Sequence, residues 1–80
     1  MSARRPDLSL VFPVFDEEES LGPLLDAALA LAPQLAADHE IIVVDDGSRD
    51  ASAAVVTDYC RRDPSVRLLR RILRRATVRC

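Results

Sequence analysis

Glu40-Ile41-Ile42-Val43-Val44-Asp45-Asp46-Gly47-Ser48-Arg49-Asp50 is the stretch on which the fold turns. Its first half holds four consecutive β-branched residues with no polar alternation. That pattern implies a strand buried on both faces, as in a parallel sheet with helices on either side. Its second half is a run of acidic, glycine and serine residues of the kind that end a strand and start a helix. Upstream, Leu8-Ser9-Leu10-Val11-Phe12-Pro13-Val14-Phe15 is a second apolar run of strand length. Pro13 cannot donate to a ladder, so this strand is expected to end near Phe12.

Between the two strands, Asp16-Glu17-Glu18-Glu19-Ser20 suits the positive end of a helix dipole. From Leu21 onward, Leu24, Leu25, Ala28, Leu29, Leu31 and Ala32 trace one broad helical face. Pro23 fits a first turn, and Pro33 is expected to kink or end the helix. A second helix is predicted over about 51–62, with Asp50 or Ser48 as its cap. Asp63-Pro64-Ser65 breaks it, and Val66-Arg67-Leu68-Leu69 reads as a third strand. The order is therefore β-α-β-α-β, an α/β chain with a parallel, doubly wound sheet and right-handed connections. Ligands of such sheets bind beyond the carboxyl ends of the strands. Here those ends carry Phe15-Asp16-Glu17 and Asp45-Asp46-Gly47-Ser48, so both acidic clusters face one edge.

Composition narrows the function classes. With 80 residues, 49% hydrophobic, 30% charged and net charge −2, the chain is at most one small domain and no strongly basic nucleic-acid binder. No apolar run reaches the length of a membrane span, and the N-terminus lacks the apolar core of a signal peptide. Cys60 and Cys80 lack metal-ligand spacing, and Cys60 is expected to pack as a small apolar side chain. A reducing, cytoplasmic setting is the expectation, and an association with the inner membrane face would be peripheral. His39 has no partners for a triad or metal set and reads as a surface residue. Neither Gly-x-Gly-x-x-Gly nor Gly-x-x-x-x-Gly-Lys-[Ser/Thr] occurs, so phosphate-cradling loops of those kinds are absent from the sequence.

Asp-Asp-Gly-Ser alone is what turns select for local hydrogen bonding. Pro-Val-Phe-Asp-Glu alone reads as a strand end with a solvated acidic helix start. At a parallel strand's carboxyl end, however, a carboxylate is placed to accept from the N–H edge of a nucleobase, and Phe15 to wall the base. Taken together, residues 8–20 and 40–50 closely resemble the start of family 2 glycosyltransferases, the inverting, nucleotide-sugar-dependent enzymes of GT-A fold that include dolichyl-phosphate mannosyltransferase-like members. The resemblance covers about residues 8–69. It departs from the commonest family version in having Phe15 where Tyr is usual and Asp16 where Asn is usual.

The resemblance implies the N-terminal, Rossmann-like part of a GT-A fold and a nucleotide-diphospho-sugar site made by Pro13, Phe15, Glu17, Val44, Asp45 and Asp46. Asp46 is the acid expected to read the base. The donor is a UDP- or GDP-sugar, and the acceptor a lipid phosphate or polysaccharide. The complete family domain also implies a divalent metal, Mg or Mn, held by an Asp-x-Asp motif, and a later acidic general base. Neither motif occurs in this sequence. No catalytic or metal-binding residue is therefore assigned, and this chain alone is expected to bind no metal and transfer no sugar. The expected organisation is a disordered N-terminus over 1–7, a partial domain over 8–69 and a basic tail over 70–80.

From Arg67 onward there are six arginines and no acid. In a helical reading, Leu69, Ile72, Leu73 and Ala76 share one face, flanked by Arg70, Arg71, Arg74 and Arg75. A rival function follows: a non-catalytic interaction fragment using this tail on an anionic membrane or RNA. A further rival is a receiver module, since Val-Val-Asp-Asp also resembles that family. There the acid pair closes the first strand, whereas here it closes the second.

Overall fold

A computed structural model describes residues 6–47, 49–72 and 75–79, with side chains through Arg71. The elements are β1 (Leu8–Val14), α1 (Glu18–Leu35), β2 (His39–Asp45), α2 (Ser52–Arg62), β3 (Val66–Ile72) and β4 (Arg75–Arg79). They form one sheet in the order β1-β2-β3-β4, with β1, β2 and β3 parallel and β4 antiparallel to β3. The α/β class and the β-α-β-α-β order expected from the sequence are both present. The expectation of a disordered stretch over 1–7 falls on residues 1–5, outside the described residues. Pro6 and Asp7 lie within them, the Asp7 N–H donating to Asp38 O at 2.9 Å.

The doubly wound arrangement is corrected. The strand order steps in one direction only, so two right-handed crossovers leave both helices on the same face. A single core bears this out: Leu21, Leu25 and Ala28 of α1 and Val56 of α2 share it with Val14, Ile41, Val43, Val66 and Leu68 of the sheet. The helices also meet directly. Tyr59 Oη donates to Gly22 O at 3.1 Å and to the Asp26 carboxylate at 2.7 Å. The bond to Asp26, with that carboxylate's charge, raises the phenol's pKa. The unbroken β-branched run of β2 therefore alternates after all. Ile41, Val43 and Asp45 are buried beneath the helices, while Ile42 and Val44 are half-buried on the other face.

Two proline expectations also change. β1 runs through Pro13 to Val14. In a parallel strand each residue's N–H and C=O point to the same side, and Val14 O accepts from Asp46 N at 3.0 Å. The missing N–H of Pro13 therefore faces away from β2, where β1 has no described neighbour and no ladder bond is lost. Pro33 lies inside α1, which continues to Leu35. It sits in the last turn, where Gln34 Nε2 returns a bond to Ala30 O at 3.1 Å.

The helical reading of the arginine segment is overturned. Arg70 and Arg71 belong to β3, and 75–79 pair with it as β4, Leu69 opposite Val78 and Arg71 opposite Ala76. An amphipathic helix here would leave the outer edge of β3 unpaired, whereas an antiparallel partner satisfies its backbone groups. With it goes the lipid- or RNA-binding face built on helical spacing. Among the described residues no helix is long and apolar enough to cross a membrane. Cys60 packs against the core as expected but is not a free thiol. His39 opens β2 half-buried, its Nδ1 3.0 Å from Ala36 O.

Candidate functional site

The carboxyl ends of β1 and β2 lie side by side, Val14 in register with Asp45. Everything that follows each strand is therefore delivered to one rim. Residues 15–17 lead into α1 and residues 46–51 into α2. Their acids reach across to each other's backbone. Asp16, at φ 50, directs Oδ1 to the N–H groups of Arg49 at 2.6 Å and Asp50 at 3.4 Å. Left-handed backbone is tolerated by Asp and Asn better than by other side chains, which accounts for an Asp at this position.

Asp50 returns the connection. Its Oδ2 accepts from Glu18 N at 3.2 Å, and its Oδ1 from Ser52 N at 2.9 Å and the Ser52 hydroxyl at 2.5 Å. Ser52 Oγ in turn accepts from Glu17 N at 3.0 Å. The N–H groups that open α1 are thus satisfied from the turn before α2, while that of Ser52, the first of α2, goes to Asp50 of its own turn. The Ser52 hydroxyl bond foremost, then the N–H bonds of Ser52 and Glu18, holds the Asp50 carboxyl below its ordinary value. Ser52 is fully buried. Ser52→Ala leaves Glu17 N–H without its acceptor and is expected to cost about 1–3 kcal/mol, read as a lower urea midpoint at unchanged m-value.

The six residues expected at a ligand are sorted by this geometry. Phe15 stands 54% exposed just past β1, an unusual position for a large apolar ring. Pro13 and Glu17 are exposed at the same rim, and Val44 is half-buried in register with Pro13. Asp46 is exposed and pairs with Arg71, Nε to Oδ1 at 3.7 Å. Asp45 differs. It points inward, is completely buried, and pairs with Arg70 of the adjacent strand, Nε to Oδ2 at 3.5 Å. It therefore lies buried under the rim, where Asp46 is exposed. Strand alternation sends neighbouring acids to opposite faces, leaving Asp46 outside and Asp45 as a support beneath it. Gly47 completes the turn at φ 82, a backbone region open to glycine.

Sequence reasoning missed two parts of this rim. Asp50 was legible as a cap of α2 but not as a partner for α1, because that contact spans 32 positions. Arg70 and Arg71 were placed in a tail, although β3 carries them to the acids of β2. A hollow of about 360 Å³ outside the α1 start is lined by Asp16, Glu17, Glu18, Glu19, Ser20 and Asp50. Among the described residues no three His, Cys, Asp or Glu side chains come together as a metal site. No step is assigned to the divalent metal expected of the complete family domain.

The glycosyl transferase family 2 model matches residues 9–77, nearly the whole described sheet. The chain belongs to glycosyltransferase family 2. Among its relatives is an undecaprenyl-phosphate 4-deoxy-4-formamido-L-arabinose transferase of Pseudomonas fluorescens, 50% identical over 58 residues, or 72% of this chain and 17% of the relative. A protein of the same name from Pectobacterium carotovorum is 42% identical over 69 residues, 86% of this chain and 21% of the relative. A dolichyl-phosphate beta-glucosyltransferase of Trichomonas vaginalis is 38% identical over 66 residues, 76% of this chain and 20% of the relative. This family 2 chain thus spans about a fifth of the length of the curated relatives it matches. The β-α-β-α-β unit is the N-terminal part of a GT-A, Rossmann-like fold, and the matched span covers β3 and reaches into β4.

Proposed function

We propose that this chain is the nucleotide-recognising part of a family 2 glycosyltransferase, holding the base of a UDP- or GDP-sugar at the shared rim of β1 and β2. The observation that carries the reading is the convergence of Phe15, Glu17 and Asp46 there, all solvent-facing, while Asp45 turns inward. Asp46 accepts from the base's N–H edge, Phe15 covers one face of its ring, and Glu17 accepts a further ligand donor. Pro13 and Val44 supply the apolar floor between the strands. In the complete enzyme the donor's sugar passes with inversion to an acceptor. Relatives named for undecaprenyl-phosphate and dolichyl-phosphate support a lipid phosphate in that role. The 80 residues alone are expected to transfer no sugar, since they carry no Asp-x-Asp.

Calorimetric titration of the whole chain with UDP and with GDP tests this reading. One of the two is expected to bind, and Asp46→Ala to weaken it about tenfold or more, the loss of a charged hydrogen-bond acceptor. Equal heat from both proteins removes Asp46 from the site. Sugar transfer by the isolated chain contradicts its assignment as a recognition unit.

A further inference from the structure

The rim is polarised. On the β1 side its hollow is lined by Asp16, Glu17, Glu18, Glu19 and Asp50, a surface that repels an anion. On the β3 side stand Arg70 and Arg71, each paired with an acid at the end of β2. A nucleoside diphosphate presents the complementary division: a base with N–H donors at one end and several negative charges at the other. Resting on the reading of Asp46 above, we propose that Arg71 binds the diphosphate of the nucleotide whose base Asp46 reads.

Three observations carry this assignment. Arg71 follows Arg70, which is in register with Asp45, so strand pairing alone brings its guanidinium to Asp46. The turn glycine abuts the same residue: a Cβ built on Gly47 would lie 3.5 Å from Arg71 O. The backbones bearing the acid and the cation therefore lie close together. Finally, the Arg71–Asp46 pair is long at 3.7 Å and more than half exposed on both sides. Such pairs are worth little, so a phosphate oxygen can displace the carboxylate. A guanidinium meets phosphate with two parallel N–H donors, a geometry the single Nε contact to Asp46 does not use. Displacement also frees Asp46 to accept from the base, so the two ends of one ligand separate the Arg71–Asp46 pair. Arg70, only 30% exposed and committed to buried Asp45, stays behind as a fixed positive background.

The test compares nucleoside with nucleoside diphosphate. The whole chain, Arg71→Gln and Arg71→Lys are titrated with uridine, UDP, guanosine and GDP at low and physiological salt. The unsubstituted chain is expected to bind the preferred diphosphate about tenfold tighter than its nucleoside, a gap that narrows with salt. Arg71→Gln is expected to bring the two within about threefold, through weaker diphosphate binding and a nucleoside affinity equal to or slightly above the parent's because Asp46 has lost its partner, and Arg71→Lys to restore part of the gap. An unchanged ratio in Arg71→Gln overturns the assignment. So does tighter diphosphate binding by that variant, which would make the Arg71–Asp46 pair a shield over the acid. Loss of nucleoside binding in Asp46→Ala together with an unchanged nucleoside-to-diphosphate ratio in Arg71→Gln keeps base reading and rejects Arg71. If no nucleoside or nucleotide binds the unsubstituted chain, base reading falls first and this assignment with it.

Discussion

Leu25→Ala is expected to lower the urea midpoint more than any other single truncation of α1, removing a large share of the folding stability. Leu25 is completely buried where α1 crosses the sheet, in contact with the only core described. Truncating a leucine at such a site costs about 2–5 kcal/mol, through lost burial and the cavity left behind. An 80-residue domain has a total stability of about 4–12 kcal/mol, at the usual ~0.05–0.15 kcal/mol per residue. The substitution thus removes a large share of the margin. Leu31, on the same helix but 49% exposed, supplies the contrast. Leu31→Ala is expected to change stability by about 0.5 kcal/mol or less. Urea denaturation followed by far-UV circular dichroism measures both, and similar midpoints for the two variants would contradict the placement of the core.

Asp45→Ala is the second large effect, expected at about 2–4 kcal/mol. Breaking a buried ion pair typically costs about 3–5 kcal/mol because the remaining charge has lost its partner. The figure is reduced here because Arg70 keeps some solvent contact, being 30% exposed. Removing both charges, as Asp45→Ala with Arg70→Met, is expected to recover much of the loss. Asp46→Ala, one residue away, is expected to stay within about 0.5 kcal/mol of the parent because its own pair is exposed. Stability and binding should therefore separate between adjacent acids: Asp45→Ala lowers the midpoint, and Asp46→Ala weakens nucleotide binding about tenfold or more. A folded Asp45→Ala protein that loses nucleotide affinity as severely as Asp46→Ala would place Asp45 at the ligand.

That separation shows how far the site was legible before any coordinates. Residues 40–50 announce a strand ending in acids, and residues 8–20 a second strand ending beside a helix start. Their delivery to one rim follows from the parallel β-α-β connection. The roles of Asp45 and Asp46 do not follow, because an unbroken β-branched run hides the strand's alternation. Only the number of covered faces reveals which acid turns inward. Asp50 shows the same limit. Its spacing to Ser52 marks a local cap, while its bond to Glu18 depends on where α1 begins in space.

The arginine segment marks the boundary between local and global information. Leu69, Arg70, Arg71 and Ile72 satisfy a helical pattern as well as an extended one, because so short a span of mixed residues cannot distinguish periods of 3.6 and 2. What decides is the open edge of β3, whose backbone groups take an antiparallel partner. Local chemistry alone determined that this chain has strands, helices and two acidic turns, since propensity, capping and turn preference act over a few neighbours. Tertiary structure decided that both helices share one face, that Asp45 is buried and Asp46 is not, and that two arginines stand across from them. Those outcomes depend on strand order and edge pairing, which join residues too far apart in the chain for any local pattern to record.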